Sequence, residues 1–238
     1  MTGAVRTRKT VAASAPAPPD SPDVFEAGPG DRRRIIVDAA FDLVEAAGPD
    51  GLTIRAVLQR TGLARRAFYE EFAGKDDLLL AVFQQTIRRA ADHFARQISA
   101  LRDPMDRLRF ILTGLTQGRR SLDEADSQPL SRLGAVISRE HLRLAEARPG
   151  DLQAALGPLI DLLCRQLGEG MQAGLVRNGD PRRLATLIYN LVSTTVHAEF
   201  LAPDGAQHDR IRRVRLAEEI WDFCRRAIAA EAEPLARR

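Results

Sequence analysis

The feature that most constrains the fold is the helical spacing of apolar residues, which continues through almost the whole sequence from Asp31 onward. In the first segment, apolar side chains recur at steps of three and one along 36–47, which places them on one face of a helix. Sustained alternation of apolar and polar residues, the pattern of a half-buried strand, is not found. The sequence therefore predicts an all-α fold of about nine helices.

Glycine and proline residues give approximate limits for these helices. The first is expected to end at Gly48 and Pro49, since Gly is favoured just past a helix C-terminus. Asp180 and Pro181 form a start signal, because Asp caps a helix and Pro fits its first turn. The later helices are expected at 75–101, from Pro104 onward, and at 129–147, 151–174, 181–201 and 208–230.

The chain divides into four parts by composition. Residues 1–30 are rich in Pro, Ala and Ser and cannot bury a core, which predicts a disordered N-terminal arm. This arm is either a plain tail or a DNA-contacting arm that uses Arg6, Arg8 and Lys9. A helix-turn-helix domain is expected at 31–80 with its reading motif at 53–72, then a C-terminal helical domain at 81–231 and a tail at 232–238.

Composition excludes several classes of protein. The 238 residues are 45% apolar and 28% charged, as in a globular protein, and no apolar stretch has the length of a membrane span. The start does not resemble a signal peptide, so a cytoplasmic location is expected. Cys164 and Cys224 lack the spacing of a metal or redox motif, and the four His residues lack that of a metal site. Nucleophile elbow, P-loop and zinc-protease motifs are missing, so no enzyme, metal or cofactor is predicted.

Net charge gives little support for nucleic-acid binding. The whole chain has a formal charge of +3, and 31–80 holds eight basic and nine acidic side chains, a net charge of −1. Any DNA-binding surface must therefore depend on a local arrangement of cations. Lys9 and Lys75 are the only lysines, so such a surface would be made almost entirely of arginine.

The segment 53–72 has the pattern of a helix-turn-helix. Thr53 can cap a first short helix, and Gly62 permits the left-handed backbone of a tight turn between helices. A second short helix follows, which leaves Arg65, Arg66 and Tyr69 for the outside. In this motif the second helix enters the DNA major groove.

These residues and their neighbours resemble the DNA-binding domain of the TetR/AcrR family of regulators. The resemblance covers 32–80 with unbroken spacing across four helices, and beyond it only the helical architecture is similar. The matching positions are Ala39, Ala40, Leu43, Gly48, Gly51–Ile54, Gly62, Leu63, Phe68–Phe72 and Gly74–Leu78. The resemblance implies a sequence-specific transcriptional regulator, by family default a ligand-responsive repressor that binds a palindromic operator as a homodimer.

The resemblance also implies individual DNA contacts. Thr53, Tyr69 and Lys75 would bind phosphates, and Arg55 is either a phosphate contact or a plain surface residue. Arg65 and Arg66 would read base edges, since arginine favours guanine, or else hold phosphate. The full predicted set is Thr53, Arg55, Ala64, Arg65, Arg66, Phe68, Tyr69 and Lys75.

Some positions depart from the family pattern. Leu58 replaces a small residue, Thr61 replaces Ala, and Arg66 stands where Gly or Thr is frequent. Ala64 replaces the Ser that caps the second helix of the motif. Leu58 and Ala64 keep open an alternative, in which the chain is a helical scaffold or ligand-binding protein with weakened DNA binding.

The C-terminal domain is expected to bind an unknown small-molecule effector and a second copy of the chain. The resemblance places an effector pocket inside the helical bundle, and the candidate lining residues are Phe94, Met105, Phe110, Met171 and His197. Each of these is alternatively a simple core residue. The last two helices would pair with their counterparts in the dimer through Leu184, Ile188, Leu191, Val192, Val214 and Trp221, unless these stripes are buried within one chain.

Overall fold

A computed structural model of the protein describes residues 28–117, 132–201 and 210–230. Within these ranges the chain forms nine α-helices and one isolated antiparallel bridge, between Val176 and Ala229, with no longer strand. The all-α prediction is therefore confirmed. The helices are α1 Pro29–Gly51, α2 Ile54–Thr61, α3 Arg65–Glu71, α4 Lys75–Ile98, α5 Pro104–Gln117, α6 Arg132–Ala147, α7 Pro149–Gln172, α8 Pro181–Leu201 and α9 Arg210–Ile228.

The limits of α1 differ from those predicted. Its first turn begins at Pro29, just inside the segment assigned to the N-terminal arm. It also continues through Gly48 and Pro49 to Gly51, although proline beyond the first turn removes a backbone hydrogen bond and usually ends a helix. The rest of the predicted arm, including Arg6, Arg8 and Lys9, and the tail at 232–238 lie outside the described residues.

Two hydrophobic cores divide the chain into a head and a body. The head consists of α1, α2, α3 and the first two turns of α4, and its core contains Ile36, Val44, Leu52, Val57 and Phe68. The body consists of the rest of α4 with α5 to α9, and its core includes Phe83, Leu112, Leu159, Leu163 and Trp221. Ile137 of α6 packs against both cores.

Helix α4 is shared by the two parts. Its residues Leu78 and Val82 are buried in the head core, whereas Phe83, Ile87 and Phe94 are buried in the body core. A single continuous helix therefore joins the head to the body. Any change in the tilt of α4 relative to the body moves the head with it.

Most of the predicted dimer residues are buried within the chain. Leu184, Ile188 and Val192 of α8 and Trp221 of α9 are all at most 9% exposed and belong to the body core. This corrects their assignment to a dimer interface, since they have no surface to offer a partner. Leu191 is half-buried, and Val214 is exposed. The large apolar side chains exposed on these two helices also include Leu187, Ile211 and Phe223.

Candidate nucleic-acid interface

The helix-turn-helix starts at a side-chain cap. Thr53 has an extended backbone, with φ −127° and ψ 151°, and its hydroxyl oxygen accepts a hydrogen bond from the Ala56 amide at 3.0 Å. This bond satisfies one of the backbone donors that the first turn of a helix leaves unpaired. The predicted cap is therefore present. Thr53 is exposed, so its side chain also lies at the surface that the motif presents.

The turn between α2 and α3 depends on Gly62. Its φ of 69° is left-handed, and its amide donates to the Leu58 carbonyl at 2.9 Å, which ends α2. The neighbouring Thr61 hydroxyl donates to the Val57 carbonyl at 2.9 Å and accepts from the Leu63 amide at 3.3 Å. Thr61, a departure from the family pattern, thus forms hydrogen bonds on both sides of the turn.

One face of α3 is anchored in the head core. Phe68 is fully buried, at 0% exposure, and its ring lies 5.4 Å from that of Tyr69 and 5.7 Å from that of Phe72. Leu63 closes the same core from the turn. The assignment of Phe68 to the DNA contacts is therefore corrected, because a side chain without exposed surface can only position its neighbours.

The opposite face of α3 is exposed. Tyr69 is 44% exposed, and Arg65 and Arg66 are also on the surface. Arg65 donates to the Tyr69 hydroxyl at 3.3 Å, whereas Arg66 is paired with Glu70 at 3.1 Å. Ala64 takes the extended backbone of an N-cap but forms no side-chain capping bond. The uncapped start of α3 thus lies directly beside two exposed arginines.

Ion pairs and ring contacts show which cations of the head are already used. Arg32 pairs with Glu70 and Arg60 with Asp42. Arg33 donates to the Glu71 carbonyl at 2.9 Å, and its guanidinium lies 4.3 Å from the centre of the Phe72 ring. Three further cations of the head, in addition to Arg33, have no acidic partner among the residues that the structure describes. They are Arg55, Arg65 and Lys75. These three lie on α2, α3 and the first turn of α4, so this unpaired positive charge belongs to the helix-turn-helix and the turn after it.

The first turn of α4 carries the exposed Lys75. Gly74 precedes it with an extended backbone, and no side chain caps the helix. Asp77 instead accepts from the Ala73 amide at 3.2 Å, one residue before Gly74. An uncapped helix start next to a lysine is suited to an anion, because the first-turn amides carry a partial positive charge.

An open groove between α2 and α3 brings two of the predicted residues together. Arg55 and Arg65 line it together with Ile54, Leu58 and Gln59, and its volume is about 590 Å³. Leu58 is half-buried against the head core, so the head accommodates a large residue at this position. The sequence did not identify Ile54 or Gln59 as residues of this surface, since nothing in the α2 pattern distinguishes them from ordinary helix positions.

The predicted effector residues make the following contacts in the body. Phe94 and Phe110 meet edge to face with ring centres 6.3 Å apart, while Met105 and Met171 are half-buried at the edge of the body core. His197 of α8 is hydrogen-bonded to Ser138 of α6 at 2.8 Å.

A second polar contact also links α6 to α8. His141 of α6 lies 3.4 Å from the hydroxyl of Tyr189 on α8. Burial lowers the pKa of His141, and the nearby His197 lowers it further. The described part of α6 and α8 therefore holds a polar cluster of Ser138, His141, Tyr189 and His197.

Membrane spans and metal sites are both missing from the described ranges. None of their helices is both long and apolar enough to cross a bilayer. No group of three or more His, Cys, Asp or Glu side chains there could hold a metal ion.

Comparison with known proteins agrees with this geometry. Residues 36–82 match the family of bacterial regulatory proteins named tetR. The HTH-type transcriptional repressor Rv1474c of Mycobacterium tuberculosis is 28% identical over 191 residues, which cover 74% of this chain and 98% of that repressor. A TetR-family transcriptional regulator from Pectobacterium atrosepticum superposes with a TM-score of 0.67 at 16% identity, covering 86% of this chain and 97% of that structure.

A further solved structure contains a ligand. The regulator FadR of Bacillus subtilis, in complex with stearoyl-CoA, superposes with a TM-score of 0.59 at 18% identity and covers 80% of this chain and 96% of that one. An all-α body that carries a helix-turn-helix with an exposed arginine face defines a DNA-binding transcriptional regulator. The match to the tetR family of bacterial regulatory proteins covers residues 36–82 of the head, and the Mycobacterium tuberculosis repressor is similar to this chain along most of its length.

Proposed function

We propose that the chain represses transcription by binding a palindromic operator as a homodimer, and that a small molecule bound in the body modulates this binding. The observation that carries the proposal is the exposed surface of α3, where Arg65 and Tyr69 lie in solvent while the neighbouring Phe68 is buried and anchors the helix. A short helix anchored on one face and cationic on the other is the part of this motif that enters the major groove.

The roles of the exposed residues follow from their partners. We assign base reading to Arg65, because no acid among the described residues pairs with it and its guanidinium can contact guanine O6 and N7. Arg66 would first have to leave Glu70, so it is the weaker candidate. Arg55 shares the groove with Arg65, and we assign it to the DNA backbone together with Thr53 and Tyr69. Lys75 would hold a phosphate at the uncapped start of α4.

Dimerisation is proposed through the outer surfaces of α8 and α9. Leu187, Ile211 and Phe223 are 56%, 73% and 63% exposed, and burying apolar side chains of this size in a partner would stabilise a dimer. Sedimentation analysis should show a dimer for the full chain. A Phe223→Glu substitution should shift it toward monomer without unfolding it, because this side chain lies outside the body core.

The effector is proposed to bind inside the body; the structurally similar FadR of Bacillus subtilis was solved in complex with stearoyl-CoA, so a regulator of this fold can bind a small molecule. The polar cluster of α6 and α8 supports this, because a few polar groups among apolar side chains are what orient a bound small molecule. A ligand that contacts both helices would alter their packing, and α6 lies against the head.

Selection of bound duplexes from a random DNA pool tests the proposal. A pseudo-palindromic sequence should be enriched, and Arg65→Ala should weaken its binding by about 1–3 kcal/mol and relax the preference at one base pair per half-site. Lys75→Ala should weaken binding to all sequences and lower the salt slope by about 0.9 per subunit. The matched control is Arg96→Ala, which removes an exposed arginine from the last turn of α4.

Failure of the selection would favour the second candidate function, a helical ligand-binding protein with weakened DNA binding. The observation that supports this candidate is the missing side-chain cap at Ala64. It predicts no salt-sensitive binding to any duplex.

A further inference from the structure

Two arginines of the body contact the first turn of α4. Arg148, between α6 and α7, donates from Nη1 to Asp77 Oδ1 at 3.0 Å. Arg143, near the end of α6, has its Nη1 3.6 Å from Asp76 Oδ2. Asp76 and Asp77 directly follow Lys75 in the sequence. These ion pairs therefore connect the body to the turn of the head that carries the proposed phosphate contact.

Each arginine is also held by an acid of the body. Arg143 Nε donates to both carboxylate oxygens of Glu140, at 3.0 Å each, and Glu140 is only 5% exposed. Arg148 donates from Nε to Asp151 in the first turn of α7. A planar guanidinium with five donors can bridge two carboxylates in this way. The body acids thus orient both arginines toward α4.

The six residues Asp76, Asp77, Glu140, Arg143, Arg148 and Asp151 are named the α4 clamp. The clamp lies at the end of α6, the helix whose Ile137 packs against both the head core and the body core. The same helix is tied to α8 by the contacts of Ser138 with His197 and of His141 with Tyr189. Along α6, the head is therefore held on the body by apolar packing at Ile137 and by ion pairs at the C-terminal end of the helix.

We propose that Arg143 and Arg148 are positioning residues for operator binding, which hold the start of α4 so that the head keeps one orientation on the body. The proposal rests on the proposed function, because only a dimer on two half-sites requires a fixed distance between heads. Half-sites at a set helical spacing are read together only when the two heads are held at the matching distance. Loosening the clamp should weaken binding to two half-sites while binding to one half-site stays the same.

The test uses the full-length Arg148→Gln variant and the duplex that the wild-type protein selects from a random pool. Affinity is measured on that duplex, on versions with one base pair added or removed between the half-sites, and on a version with one half-site scrambled. The wild type should prefer the selected spacing. In the variant, the ratio of affinities for the selected and the altered spacings should fall about fivefold per subunit, which is the scale of an exposed ion pair. Its affinity for the single half-site should stay unchanged.

Two further variants separate positioning from other effects. Asp77→Asn removes the same ion pair but keeps an oxygen that can accept from the Ala73 amide. It should therefore reproduce the loss of spacing preference. The double variant with Arg148→Gln should lose little more than either single variant, because both substitutions remove one interaction. Arg182→Gln is the matched control, because it breaks an exposed pair with Asp161, 2.6 Å long, that lies wholly within the body. It should leave the spacing preference unchanged.

Two results would overturn the inference. Equal weakening by Arg148→Gln on all duplexes would mean that the arginine acts only through its charge near Lys75. A lowered melting temperature with an unchanged spacing preference would mean that the clamp only stabilises the fold. A pool selection that enriches no sequence would instead refute the proposed function, so the two failures are distinguishable.

Discussion

The turn between α2 and α3 allows backbone strain to be separated from packing. Gly62 has a φ of 69°, and a Cβ built on it meets no atom within 4 Å. A Gly62→Ala substitution therefore introduces no clash, and its cost is the left-handed conformation alone. That conformation costs an L-residue about 1–2 kcal/mol. The lower entropy of the unfolded alanine chain offsets about 0.4–1 kcal/mol, which leaves a net loss of about 1 kcal/mol.

Gly174 provides a matched control. It has the same φ of 69°, and a Cβ at its position would also meet no atom within 4 Å, but it lies after α7 in the body. Both alanine variants should lower the free energy of unfolding by similar amounts, a decrease of about 2–4 °C in melting temperature for a chain of this size. Only Gly62→Ala should weaken DNA binding, because this turn sets the direction in which α3 presents Arg65.

The measurements are denaturant unfolding for stability and a titration with the selected duplex for DNA affinity. Gly62→Asn should recover part of both losses, since asparagine tolerates the left-handed region better than alanine. The reasoning would be refuted if Gly62→Ala were as stable as the wild type. It would also be refuted if Gly174→Ala weakened DNA binding to the same extent.

Two more predictions concern single side chains. Ala64→Ser should add a capping oxygen to the start of α3 and stabilise the head by about 0.5–1 kcal/mol; unchanged amide exchange in α3 would contradict this. The pKa of His141 is lowered from 6.5, first by burial and then by His197, so the unfolded chain binds more protons. Its contribution to stability is therefore present above pH 6.5 and is lost as the pH falls through the folded pKa. Melting curves between about pH 7.5 and about pH 5 should show this loss, and His141→Gln should reduce it.

The helices could be predicted from sequence because each buries an apolar stripe with helical spacing. The helix limits were harder to predict where a residue type can either end a helix or continue it. Gly48 and Pro49 commonly end a helix, yet α1 continues to Gly51, because both residues also adopt helical dihedrals. Thr53 and Gly62 were identified correctly, since a hydroxyl cap and a left-handed turn are needed at those positions.

The partners of buried stripes could not be predicted. Leu184, Ile188, Val192 and Trp221 form helical stripes, but a stripe does not show whether it faces its own chain or a second one. The structure places all four in the body core. Phe68 was misassigned for a related reason, because its neighbours in the sequence face outward while its own ring is the anchor of α3.

The unpaired charge of the head was the property least predictable from the sequence, because ion pairing depends on the tertiary structure. The excess of acids in 31–80 gave no support for DNA binding, yet Glu70 alone accepts hydrogen bonds from both Arg32 of α1 and Arg66 of α3. Its carboxylate therefore lowers the positive charge that the head offers to DNA, while Arg55, Arg65 and Lys75 keep no acidic partner among the described residues. The quantity that matters for DNA binding is this unpaired charge and its position on the helix-turn-helix, rather than the net charge of the domain.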